Sequence, residues 1–388
     1  RVYDARGKLH EYSGEPGPQV TIRLHDKSLH LKIFWNPRLA IGEAYMDGTL
    51  TIEDGGRIID LIDIMGANLH KLESTKVVKF RNWLTPLVRP IQQHNPVSRA
   101  RKNVAHHYDM SDELFDLFLD SDRQYSCGYF ESPGDSLEQA QLAKKHHLAS
   151  KLVLDRPGLK MLDIGSGWGG LGIYMHQLSG ADVTGLTLST EQQAYATERA
   201  NMLGIQDEVR FDLRDYRLET GRYDRIVSVG MFEHVGVKYY TQFFNKLKSL
   251  LTEDGVAVLH TIARWDGPSV TNPWLRKYIF PGGYTPSLSE IFAAIEPTGL
   301  MVLDTEILRL HYAETLKHWS LNFRANRDKV KAIYDERFCR MWEFYLAGAE
   351  TAFRRQGHMV AQLQIARQQD AAPLTREYLI DWKRAHPL

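Results

Sequence analysis

The sequence predicts an α/β protein built on a doubly wound parallel sheet, preceded by a small α+β module and followed by added helices. Three observations carry that expectation. Strand-like and helix-like segments alternate from Lys160 onward; the first strand, Lys160-Met161-Leu162-Asp163-Ile164, runs into the glycine turn Gly165-Ser166-Gly167-Trp168-Gly169-Gly170; and long helical periodicity takes over after Ala313.

Taken in order, residues 18–55 contain short alternating segments, with strands predicted at 19–24 and 29–34. A helix is predicted over 58–72. Residues 70–103 then carry Lys71, Lys76, Lys79, Arg81, Arg89, Arg99, Arg101 and Lys102 against the single acid Glu73, interleaved with Val77, Phe80, Trp83 and Leu87. Such a segment suits an anionic surface, membrane lipid or nucleic acid, and equally a solvated connector; Pro86, Pro90 and Pro96 oppose one long helix there. Further strands are predicted at 183–188, 209–213, 225–229 and 256–262. A Pro/Gly-rich insertion follows at 265–286, a closing strand at 301–308, and helices over 313–324 and 328–354. Ligands are expected at the carboxyl ends of the parallel strands.

A strand, a glycine turn and a helix make a Rossmann-like nucleotide loop, because backbone without Cβ admits positive φ and close ligand approach. A dinucleotide site normally places an acid about 20 residues later, on the second strand. Here that strand ends at Thr187-Leu188 with no carboxylate, and Glu191 falls where it serves the next helix N-terminus. Thr187 and Gln192 are left as neutral partners for a ribose. The Gly-Lys-Ser/Thr ending of a triphosphate loop is missing. The loop alone leaves a methyl donor and other nucleotide ligands open.

With 388 residues, two domains are the default, and 43% hydrophobic with 25% charged residues describes an ordinary globular protein of zero net charge. No apolar run approaches the ~20 residues of a membrane span. The chain begins at Arg1, so an N-terminal piece is expected to precede it, and no signal peptide is visible. The two cysteines, Cys127 and Cys339, have no metal-like spacing, and a reducing, cytoplasmic setting is expected.

Several ordered segments carry a family resemblance. Asn103-Val104-Ala105-His106-His107-Tyr108-Asp109, Tyr125-Ser126-Cys127-Gly128-Tyr129-Phe130, residues 162–170, Gly230-Met231-Phe232-Glu233-His234-Val235-Gly236, Leu259-His260-Thr261-Ile262 and Tyr278-Ile279-Phe280-Pro281-Gly282 resemble cyclopropane-fatty-acyl-phospholipid synthases, in that family's order. Gly42-Glu43-Ala44-Tyr45-Met46-Asp47-Gly48 resembles the family's N-terminal module. The resemblance implies a class I methyltransferase sheet and two parts, a lipid-docking module with its basic connector at 1–100 and an S-adenosylmethionine-dependent methyltransferase domain at 101–388.

It also implies S-adenosylmethionine as methyl donor and the cis double bond of an esterified fatty acid as acceptor. By the same resemblance, Tyr125 and Ser126 meet the cofactor; Met161, Leu162, Asp163, Ile164, Gly165, Ser166, Gly167, Trp168 and Gly169 form its loop; Thr187, Leu188 and Gln192 take the ribose; and Tyr216 and Arg217 hold the adenine. Methyl transfer to an alkene leaves a carbocation, which requires a π-rich, water-free surround and a base that does not capture it. The family's base is a bicarbonate ion, held at positions matching Cys127, Glu233, His260, Ile262 and Tyr312. His260 and Tyr312 have donors to offer, Cys127 and Ile262 backbone N–H groups, and Glu233 an acceptor for the bicarbonate hydroxyl. Individually these residues also fit bland roles: Glu233-His234 a helix start, His260 a core histidine, Tyr312 a capping aromatic, Tyr216 a packing aromatic.

One departure stands out. Many relatives carry a cysteine in the late helix where this chain has Ala349, and Cys339 lies ten residues away, nearly three turns. A buried, hydrophobe-like role is expected for Cys339. Expected partners are phospholipid acyl chains at the inner face of a membrane, reached peripherally, and a second copy of the chain; nucleic acid and a metal are not expected. Docking is assigned to the N-terminal module, the Trp83 region with Lys76, Lys79 and Arg81, or the insertion from Trp274 to Tyr284. The alternatives are a lipid methyltransferase giving methylene or methyl-branched chains, a small-molecule N-methyltransferase, and a lipid-binding protein without activity.

Overall fold

The computed structural model describes residues 1–68 and 111–388. The basic stretch 70–103 and the motif around His106-His107 lie outside them.

The N-terminal part comprises β1 (Val2–Tyr3), β2 (Leu9–His10), β3 (Thr21–Leu24), α1 (Ser28–Trp35), α2 (Pro37–Met46), β4 (Leu50–Glu53) and α3 (Ile58–Ala67), with strand order β2-β1-β3-β4. The strand expected at 29–34 is instead helix α1. Asp26 accepts the Ser28 N–H at 2.8 Å and starts the turn, and Pro37 at the first position of α2 ends the element. In so short a run, Leu-His-Leu-Lys-Ile-Phe satisfies a period of two as well as a helical one.

The larger part runs through α4 (Asp112–Asp116), α5 (Leu137–Lys151), β5 (Lys160–Ile164), α6 (Gly170–Ser179), β6 (Asp182–Thr187), α7 (Thr190–Met202), β7 (Val209–Leu213), β8 (Tyr223–Val229), α8 (Tyr240–Leu250), β9 (Leu251–Arg264), α9 (Pro273–Tyr278), α10 (Leu288–Ile295), β10 (Met301–Leu308), α11 (His311–Ala325), α12 (Arg327–Ile333), α13 (Glu336–Arg355), β11 (His358–Ala366) and α14 (Glu377–Ala385). The sheet order is β10-β11-β9-β8-β5-β6-β7. Strands β5 to β9 pair in parallel, and β11 enters antiparallel between β9 and β10. The order reverses beside β5, the switch point where such sheets bind ligands. The predicted helix over 328–354 is two helices, because Asp335 leaves helical geometry and caps α13 by accepting the Phe338 N–H at 2.7 Å.

Strand β11 has no counterpart in the sequence reading. Eight of its nine residues are buried, so it lacks the in–out alternation that marks a half-exposed strand. Two of its polar members reach inward partners: Gln362 Nε2 meets His260, and Gln364 donates to the Lys151 carbonyl at 2.6 Å, while Gln362 Oε1 is buried with no partner among the described residues.

Helix α13 joins the two parts. Its Phe344 and Ala347 pack with Leu61, Ile62 and Ala44 of the N-terminal helices. Tyr45 donates to Glu343 at 2.9 Å, and Arg355 pairs with Asp63. The insertion at 265–286 turns Trp274, Ile279 and Tyr284 inward, with Trp274 Nε1 donating to Met46 Sδ at 3.3 Å. Trp274 thus braces α2, and these three buried residues offer no exposed face, whereas Trp265 at the start of the insertion is exposed.

Candidate active site

Two pockets meet at the carboxyl ends of the central strands. The smaller, about 160 Å³, is lined by Tyr125, Ser126, Asp163, Ile164, Gly165, Ser166, Gly167, Trp168, Thr187, Leu188, Gln192, Asp215, Tyr216, Arg217 and Met231 among others. Thirteen of the sixteen residues assigned to the cofactor are therefore in one lining. Met161 and Leu162 are buried in the sheet beneath it, and Gly169 lies behind the turn.

The turn needs its glycines. Gly165 has φ +88°, and an added Cβ would sit 2.9 Å from Met231 Cβ; at Gly169, φ +83°, one would sit 2.7 Å from Phe211. Thr187 donates to Gln192 Oε1 at 2.9 Å, so the two ribose candidates hold each other at the second strand's end. Arg217 is gripped by Asp215 at 2.6 Å beside Tyr216, whose ring meets Phe243 at 5.4 Å. Asp163 is almost fully buried, and its Oδ2 has no hydrogen-bond partner among the described residues. Burial pushes its carboxyl up to about 7, against the pull of the Lys144 ammonium.

The larger cavity, about 1100 Å³, contains all five residues assigned to the anion site: Cys127, Glu233, His260, Ile262 and Tyr312. It shares Tyr125, Ser126, Gly230 and His234 with the smaller pocket, so a group in one lies against the other. Much of its wall is aromatic. Tyr125 stacks on Trp319 at 5.1 Å, Tyr312 meets Phe353 at 4.8 Å, and Phe280 meets Tyr345 at 5.7 Å.

Glu233 reaches from a short 3₁₀ turn, Phe232–His234, to the end of β9, where its Oε1 accepts the Ile262 N–H at 2.6 Å. The Ile262 N–H thus secures the carboxylate instead of facing the cavity unclaimed. Glu233 Oε2 is buried with no hydrogen-bond partner among the described residues, and burial raises the carboxyl above its ordinary range. Burial likewise drives His260 down to about 3 and His234 to about 4, so both rings are neutral near pH 7. Cys127 is buried, and desolvation holds its thiol well above the usual value. That thiol is no nucleophile at neutral pH. Ala349 lines the cavity, whereas Cys339 is buried outside the lining, with Sγ 3.8 Å from the Arg327 carbonyl.

Lys144 escaped the sequence reading. It is fully buried on α5, donating to Gln124 Oε1 at 2.5 Å and Ser126 Oγ at 2.9 Å, and burial lowers its ammonium to about 8. It supports Ser126 where the pockets meet. In the run Lys144-Lys145-His146-His147 it reads as a solvated face, but Leu137, Ala140, Lys144 and Leu148 share one helical stripe. That spacing was the available signal.

A doubly wound sheet with its glycine turn under one pocket, and a second pocket sharing that pocket's wall, is an architecture this chain shares with solved class I methyltransferases. A family model described as mycolic acid cyclopropane synthetase matches residues 95–363, and a domain of unknown function matches 4–75. The cyclopropane-fatty-acyl-phospholipid synthase of Escherichia coli K12 is 36% identical over 350 residues, 89% of this chain and 87% of that protein. Tuberculostearic acid methyltransferase UfaA1 of Mycobacterium tuberculosis is 36% identical over 334 residues, 81% of this chain and 76% of that one. A solved structure of mycolic acid cyclopropane synthase CmaA1, complexed with SAH and CTAB, is 33% identical with a TM-score of 0.65, covering 70% of this chain and 99% of that chain. The chain belongs to the mycolic acid cyclopropane synthetase family of S-adenosylmethionine-dependent methyltransferases.

Proposed function

We propose that the protein converts the cis double bond of an unsaturated phospholipid acyl chain into a cyclopropane, using the methyl of S-adenosylmethionine. In this reading residues 1–100 dock on a cytoplasmic membrane face and 101–388 carry the chemistry. The observation that carries it is the convergence of buried Glu233, His260 and Tyr312 on one aromatic-walled cavity of about 1100 Å³ that adjoins the donor pocket.

S-adenosylmethionine supplies an electrophilic methyl, and bicarbonate, where bound, supplies a base. The residues fit that anion: Glu233 Oε2 is an orphaned buried acceptor, and neutral His260 keeps one ring proton to donate. The protein's own tasks are three. Tyr125 and Ser126, common to both pockets, hold the alkene against the donor, where proximity contributes much of the rate. The aromatic wall stabilises the cation left on the chain and excludes water. Glu233 orients the proton acceptor beside the new methyl, whose C–H electron pair then closes the ring.

A second reading has the same cation resolve to a methylene or methyl-branched chain, and the 36% identity to a tuberculostearic acid methyltransferase favours keeping it. The cavity, about 1100 Å³ with an aromatic wall, has room for an acyl chain. Labelled S-adenosylmethionine and unsaturated phospholipid are incubated with the enzyme, and the acyl product is read by mass and NMR. Cyclopropane protons are expected. A branched or methylene product selects the second reading, and an N-methyl product or no transfer overturns both.

A further inference from the structure

Helix α1 is apolar on two opposite sides. Leu29 is buried at 3% exposure, whereas Leu31, Phe34 and Trp35 stand out at 64, 65 and 63%. The outward three fall at i, i+3 and i+4, a single face, with the Phe34 and Trp35 rings edge to face at 5.5 Å. Exposing three large apolar side chains together on an eight-residue helix is costly in water and marks a contact surface.

Two features identify the occupant. Around the helix the chain carries Lys27, Lys32 and Arg38 against the flanking Asp26 and Glu43, with Lys32 3.8 Å from Asp26, so this stretch is weakly basic. The next helix, α2, brings Pro37, Arg38 and Ile41 into the lining of the large cavity, so α1 stands at its lip. Trp265, 63% exposed, lies between Arg264 and Asp266, which line the same cavity. A second copy of the chain is a poorer fit. Two aromatics of ~150–250 Å² each and one leucine fall short of the ~800 Å² per partner of a stable interface.

We propose that α1 is an interfacial wedge that inserts Leu31, Phe34 and Trp35 into the headgroup–acyl boundary of an anionic bilayer and sets the cavity mouth on the lipid. This rests on the lipid reading given above. Such a helix lies in the interface plane with its apolar face ~5–10 Å deep. Tryptophan suits that depth, and each nearby lysine or arginine strengthens binding to an anionic surface about fivefold. Insertion also explains delivery, since a chain displaced beside Phe34 and Trp35 is two residues from the lining at Pro37.

The test uses the full chain and a triple variant, Leu31→Ser, Phe34→Ser and Trp35→Ser, with Trp35→Phe as the conservative control. Cosedimentation with phosphatidylglycerol vesicles judges the helix. Methyl transfer to the same phospholipid dispersed in detergent judges the chemistry. The triple variant is expected to bind vesicles at least about tenfold more weakly. It should methylate vesicles correspondingly slowly, yet match the parent in detergent and in S-adenosylhomocysteine affinity. Trp35→Phe should bind like the parent, and high salt should weaken binding without abolishing it. Parental vesicle binding by the triple variant overturns the proposal, as does a change of oligomeric state with vesicle binding intact. A parent that binds vesicles through α1 but methylates lipid in neither format overturns the lipid reading instead.

Discussion

Gln362 Nε2 lies 3.1 Å from His260 Nδ1, and the two residues are direct register partners across the antiparallel β9–β11 pair. With the amide donating, Nδ1 is an acceptor and the ring proton resides on Nε2. A neutral imidazole in that tautomer presents a donor to an anion in the cavity that His260 lines. Replacing Gln362 with Leu removes the tautomer's support. Turnover should fall about tenfold, the kinetic equivalent of one hydrogen bond of about 1.4 kcal/mol, with unchanged S-adenosylhomocysteine affinity. Gln362→Glu, which accepts from Nδ1–H, should be worse than Gln362→Leu. Equal rates for the two would show that the pair merely packs.

Glu233 makes a separate prediction. Its Oε1 is held by the Ile262 N–H while Oε2 stays unmatched, so a carboxamide preserves shape but loses the charge. Glu233→Gln should lose about 10² or more in ring formation while titrating S-adenosylhomocysteine normally. Added bicarbonate should not rescue it, because the defect lies in holding the anion. Full turnover by this variant would remove Glu233 from the anion site.

Much of this arrangement was legible in the sequence because it resides in short contiguous motifs. The glycine turn, Thr187 with Gln192, and Tyr216 with Arg217 each sit at a strand's carboxyl end, where the doubly wound topology gathers them. The adenine role of Tyr216 and Arg217, and Glu233 and His260 altogether, came from resemblance, since neither spacing nor composition distinguishes them from packing residues. The partners that tune the site left a weaker trace or none. Gln362 is on a strand buried on both faces, and Lys144 is charged on an inward stripe. Helix α1 was misread because eight residues of alternating polarity fit two periods.

The join between the two parts is sensitive to a single methyl group. Gly42 sits in the middle of α2, where an added Cβ would lie 2.5 Å from the Trp274 indole and 2.9 Å from the Phe344 ring. Both neighbours are rigid aromatics, and Trp274 is fixed by its contact with Met46. Gly42→Ala should therefore destabilise the protein by about 1–3 kcal/mol, although alanine favours helix. Thermal unfolding followed by calorimetry checks this. A raised melting temperature would mean that α2 does not dock on the insertion as described.

Asp163 links the donor pocket to pH. Its carboxyl, pushed up to about 7 by burial, is largely protonated in the free enzyme at mildly acidic pH. The folded state therefore binds more protons than the unfolded chain between pH ~4 and ~7, so this group's contribution to stability falls as pH rises through that window. Ligand binding runs the opposite way. We propose that Asp163, which lines the donor pocket with an unmatched Oδ2, pairs with the methionyl ammonium once ionised, so affinity for S-adenosylhomocysteine should be high above pH ~7 and fall about tenfold per unit below it. Asp163→Asn should bind weakly at every pH and flatten the profile. Calorimetric titration of both proteins from acidic to alkaline pH, with proton uptake measured in buffers of different ionisation heat, decides it. A sloping profile in Asp163→Asn would assign the titration to another group lining the donor pocket, and a flat profile in the parent would mean that the ammonium is held elsewhere.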